Sequence, residues 1–138
     1  MNNEILSIFD DIKSILFNID ALKKKAIEIG KMDEYKLCNQ IRIDFNKFYN
    51  QILNQISYLL SGREVDFDFL FEQKILIEKK LLHLPNLEDF ATIESTNIYL
   101  QQIQGSTSNL LASIKDCKDI DSTMMIDKIN IFRYSTFY

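Results

Sequence analysis

His83 is the one histidine of the chain and so its one natural imidazole base. A hydrolytic triad needs a nucleophile, a base and an acid that orients the base. His83 stands in Leu81-Leu82-His83-Leu84-Pro85, at the end of an apolar stretch. Near a helix C-terminus a histidine has a ready structural role without catalysis. Cys38 and Cys117 lie far apart and have no CxxC spacing, so they form neither a metal nor a redox motif. A structural zinc site takes about four Cys or His ligands, and the chain has two Cys and one His. Di-iron bundles place Glu-x-x-His on two helices, which one histidine does not supply. Phosphate-cradling loops need clustered glycines, whereas Gly30, Gly62 and Gly105 are isolated. The carboxylate pairs Asp10-Asp11, Asp66/Asp68 and Glu88-Asp89 have the chemistry for acid–base work. Four of these residues fall at helix starts, where the dipole attracts them. Asp10 falls opposite the first apolar seam, and Asp11 flanks it. These residues predict a protein without catalytic residues, metal or cofactor.

Two helical families test that expectation. Helical RNases of the HEPN class carry Arg, four to six variable residues, then His. Ile77-Glu78-Lys79-Lys80-Leu81-Leu82 precedes His83, and no arginine stands at that spacing. Leu22 through Phe48 resembles the UVR-type helical hairpin in Asp33-Glu34-Tyr35 at the turn and Ile41-Arg42 after it. Any antiparallel hairpin with a short acidic turn shares that likeness, which covers under a quarter of the chain.

The elements that must position these residues are helices. The 138 residues fit one domain, and 46% hydrophobic with 26% charged residues is a globular balance. Three Gly and one Pro leave too few turns for an all-β fold. The formal net charge is −4, with Arg42, Arg63 and Arg133 the only guanidiniums. Nucleic acid is therefore not the expected partner, because phosphate binding draws on Lys and Arg. The remaining route to RNA or DNA is through Lys23-Lys24-Lys25, Lys31, Lys79-Lys80 and Arg63. No apolar stretch approaches the ~18 residues of a membrane span, and the opening residues lack a signal peptide's basic and apolar regions. The expected location is the cytoplasm, with reduced thiols.

Ile5, Ile8, Ile12, Ile15, Ile19, Leu22, Ala26 and Ile29 alternate by three and four, the rhythm of one long amphipathic helix. Asn2 or Asn3 is its expected cap and Gly30 its left-handed stop. Cys38, Ile41, Phe45, Phe48, Ile52, Ile56 and Leu59 continue the spacing after a short link, with Asp33 as expected N-cap and Ser61-Gly62 as the end. So short a link predicts an antiparallel hairpin over 1–62. A second helical pair is expected over 66–118. Its first helix runs from Asp66 or Asp68 to Leu84, stopped by Pro85. Its second is capped by Asn86 and carries Phe90, Ile93, Leu100, Ile103, Leu110, Ile114 and Cys117 on its apolar face. Positions 103, 107, 110, 114 and 117 keep their phase across Gly105, so one helix is expected to run through it. Residues 121–138 form a short helix, which Ser122 would cap, or a tail. The predicted fold is an all-α antiparallel bundle of four long helices plus that C-terminal segment.

Without catalytic groups, such a bundle is expected to act through its surface, as a non-catalytic protein-interaction module. An inhibitor or immunity-like protein, a chaperone or a small complex subunit would fit. Apolar residues beyond those needed for the core mark the candidate face. In the first helix, Phe9 and Leu16 flank the seam, Leu6 and Ile27 are expected on a side face, and Phe17 lies opposite. The C-terminal Phe132, Arg133, Tyr134, Phe137 and Tyr138 have the composition of an interface hot spot. An acidic chain favours a basic partner protein, and a two-fold homodimer is a further expectation.

Overall fold

The computed structural model describes residues 2–65, 68–116 and 122–137. Five α-helices account for most of them, and no strand is present among the described residues. The first, α1 (Asn2–Glu28), buries Ile5, Ile8, Ile12, Ile15, Ile19, Leu22 and Ala26, the seam read from spacing. Ile29 continues that spacing but is exposed, because the helix stops one residue earlier. Gly30 adopts φ 73°, its N–H reaches the Ile27 carbonyl and the Lys31 N–H reaches that of Ala26. These two bonds form a Schellman cap, which satisfies carbonyls that the helix end would otherwise leave open. Gly62, at φ 83°, closes α2 (Met32–Leu60) with the same pair of bonds, to Leu59 and Tyr58.

Asp33 is not the cap of α2. The helix starts at Met32, Lys31 occupies the cap position without a side-chain bond, and Asp33 lies in the first turn. The three-residue link turns α2 back along α1: Arg42 pairs with Asp20, and Lys23 lies over the Tyr35 ring. Partners whose numbers fall on one helix as they rise on the other run antiparallel. Phe45, Phe48 and Tyr49 are the bulkiest fully buried side chains of this hairpin.

The third helix, α3 (Asp68–Leu81), is three residues shorter than its apolar pattern predicts. The residue before a proline is pushed out of helical conformation, so the chain loosens ahead of Pro85. A single 3-10 turn, Pro85–Leu87, follows and buries Leu87, while Leu84 is buried just before it. Asn86 therefore does not cap the next helix, and its amide donates to Glu34 instead. Asp89 takes the capping role for α4 (Phe90–Asp116), accepting from the Thr92 N–H and hydroxyl. Phe90, at the first position of α4, is consequently exposed. The helix runs unbroken through Gly105, with Ile103, Thr107 and Leu110 all buried.

Ser122–Phe137 form a further helix, α5, rather than an extended tail. Met125, Ile129 and Phe132 face inward at helical spacing, and Phe132 stacks on Phe9 with ring centroids 4.2 Å apart. Burial of that stripe outweighs the β preference of the Ile129–Tyr134 residues, since local propensity is a weak term beside packing. α1 is the hub: it packs most extensively on α4, and also touches α2 and α5.

Candidate interaction surface

Among the described residues the reactive side chains do not converge, and Asp66 and Cys117 lie outside those residues. His83 is exposed in the turn after α3, its backbone N–H bonded to the Lys80 carbonyl. Cys38 is buried, and desolvation pushes its thiol up to about 11, which makes it an inert core residue. Asp11 is only 7% exposed, and burial, with Asp10 beside it, pushes its carboxyl up to about 6. One of its oxygens is buried without a hydrogen-bond partner. No group of three metal-ligating side chains forms among the described residues. No described helix is long and apolar enough to cross a membrane. One polar cluster escaped the sequence reading: Lys74 of α3 is buried, pairs with Glu78 at 3.0 Å and donates to Gln101 of α4, whose amide donates to Glu78. This closed triangle ties α3 to α4 and engages the Lys74 amine within the bundle.

The surface candidates divide by helical phase. Phe17 is 74% exposed on the outer face of α1. Phe132, expected on the surface, is 4% exposed and belongs to the core. Arg133 is half-buried and turned to α2, where its guanidinium donates to the Asn50 carbonyl and the Asn54 side chain. Tyr134 is 68% exposed. Phe137 closes α5; its side chain and the whole of Tyr138 lie outside the described residues. A tail cluster in which every aromatic counts alike is thus replaced by a helix with an inner and an outer side. Ile131, 67% exposed, and Met124 share the outer side of α5 with Tyr134 at spacings of seven and three.

No protein-family model, characterised protein or solved structure matches the chain. The surface must therefore be read on its own geometry. Ten described positions of α1 are exposed, and seven of them, Leu6, Asp10, Lys13, Phe17, Asp20, Lys24 and Ile27, are spaced alternately by four and three; Asn3, Ser7 and Glu28 are the others. At 3.6 residues per turn a row of that spacing drifts by about 20° per heptad, so these seven make one stripe that winds slowly round the outer side of the helix. Phe17, at 74% exposure, lies opposite the seam, and Leu6 and Ile27, at 49% and 57%, lie toward the side of the helix. Beside Phe17, residues Lys13, Ser14, Asn18 and Tyr99 line a shallow depression of about 470 Å³ between α1 and α4. The lysines offered for nucleic acid are in part engaged within the chain: Lys80 pairs with Asp44, and Lys23 rests over Tyr35.

Proposed function

We propose that this chain is a non-catalytic helical module that works by binding protein, as an inhibitor, a chaperone or a small subunit of a complex. The supporting observation is that large apolar side chains stand outward in helical register, Phe17 on α1 and Ile131 with Tyr134 on α5, around a core that is complete without them. Exposed aromatic and aliphatic anchors at the centre of a polar rim are what protein interfaces use. Phe17 has Asp20, Lys13 and Asn18 about it, so its surroundings fit that arrangement. The test is affinity purification of the chain from its native cells, as wild type and as Phe17→Asp and Ile131→Asp variants. The expected result is a protein recovered with wild type and lost from at least one variant whose circular dichroism is unchanged. Equal recovery with both folded variants, or unfolding by Phe17→Asp, removes this reading.

A further inference from the structure

The outer stripe of α1 reads apolar, acidic, basic, apolar, acidic, basic, apolar from Leu6 to Ile27. About Phe17 the apolar positions are mirrored and the charges are inverted, acid for base. Suppose a second copy of the helix is laid antiparallel on the first, with a two-fold axis through Phe17. Positions that sum to 33 or 34 then face each other. Leu6 meets Ile27 of the second copy, Asp10 meets its Lys24, Lys13 meets its Asp20, and Phe17 meets Phe17. Every apolar residue lands on an apolar residue and every acid on a base. A parallel pairing in register would set Asp10 on Asp10 and Lys24 on Lys24. We propose that the α1 face is a homodimer interface, in which two copies of this chain pack antiparallel about Phe17.

The usual explanation of charges spaced by three and four is that they pair along their own helix. Here they do not. No ion pair joins Asp10 to Lys13, or Asp20 to Lys24, among the described residues. Asp20 instead touches Arg42 while keeping 60% of its side chain exposed, and Lys13 lies beside the Phe132 ring at 5.7 Å. Each can take a second partner. The depression lined by Lys13, Ser14, Asn18 and Tyr99 adjoins Phe17, so the second copy's Phe17 has a recess to enter. The stripe is roughly 32 Å long at about 1.5 Å per residue. One helix face of that length falls at the small end of specific interfaces, so the dimer is expected to be weak and dependent on concentration.

The inference rests on the interaction-module reading in one respect, that Phe17 is an interface residue; it names the occupant. Sedimentation equilibrium of the full chain, from about 5 µM to about 0.5 mM, measures the monomer–dimer constant. Asp10→Lys alone and Lys24→Asp alone each set like charges opposite each other at both symmetry-related contacts. Each is expected to raise the dissociation constant about tenfold or more. The double variant restores opposite charges and is expected to return to within about threefold of wild type, as is an equimolar mixture of the two single variants. A monomer throughout the range, single variants that dimerise like wild type, or a double variant that stays monomeric each overturn the proposal. Monomeric wild type whose Phe17→Asp variant still loses a foreign protein removes self-pairing and leaves the interaction module standing.

Discussion

Substituting alanine at each of the three glycines tests the described backbone with one chemical change and opposite expected signs. Gly105 sits inside α4 with an ordinary helical backbone, and a Cβ added there meets nothing within 4 Å. Alanine is favoured over glycine in a helix interior by about 1 kcal/mol. Unfolding entropy near 60 °C is about 2.1 cal/mol/K per residue, which for this chain of 138 residues amounts to roughly 0.29 kcal/mol/K. Gly105→Ala should therefore raise Tm by about 3 °C. Gly30 and Gly62 have equally open surroundings but stand at φ 73° and φ 83°. A side chain in the left-handed region costs about 1–2 kcal/mol, against about 0.4–1 kcal/mol gained by restricting the unfolded chain. Gly30→Ala and Gly62→Ala should each lower Tm by roughly 2–3 °C. Thermal melts followed at 222 nm, or calorimetry, resolve shifts of this size. A lower Tm for Gly105→Ala would mean that α4 breaks at that residue, and the continuous-helix description would fail with it.

Asp11 supplies a pH prediction. Its carboxyl is raised to about 6 from an ordinary 3.8, so the folded state holds the proton more tightly than the unfolded chain. Stability should fall as pH rises from about 4 to about 6, and the charged, buried group should remain a cost above that. Asp11→Asn should stabilise by about 1 kcal/mol at pH 7.5, give little or nothing at pH 4, and flatten the profile between them; a profile unchanged by the substitution would refute this. Thr107 and Thr96 are both fully buried, but the Thr107 hydroxyl has no partner while that of Thr96 donates to the Thr92 carbonyl. Thr107→Val should raise the urea midpoint by an amount worth about 1 kcal/mol, and Thr96→Val should not; equal responses would contradict the described hydrogen bonding. Phe132→Ala removes the stack on Phe9 and should cost about 3 kcal/mol, read as a drop of about 10 °C in Tm, whereas a drop of under 2 °C would show that α5 does not hold to the bundle.

Where a signal depends on spacing within one helix, it could be read without coordinates. The isoleucine seam of α1, the stops at Gly30 and Gly62 and the passage of α4 through Gly105 all follow from phase and from glycine's tolerance of positive φ. Caps were less legible, because several acceptors stood near each helix start. Asn86 and Asp89 both suit a cap, and the 3-10 turn forced by Pro85 selects Asp89. The direction of the C-terminal residues depended on partners 79 or more positions away. Phe132 turns inward because Phe9 waits for it, and Arg133 because Asn50 and Asn54 accept from it. Lys74 escaped notice for the same reason, as its neighbour Gln101 belongs to another helix. The stripe around Phe17 was within reach of periodicity, since Leu6, Asp10, Lys13 and Lys24 repeat the seam's rhythm on the far side of α1.

The principal neighbour of α1 is α4, not the α2 that follows it in the chain. During synthesis the isoleucine row emerges well before its cover, most of which is made only after some ninety further residues have left the ribosome. The early hairpin alone would offer water a greasy flank. Nascent or truncated chains of this protein would therefore be clients for chaperones and proteases until Phe90–Asp116 arrives to shut that flank.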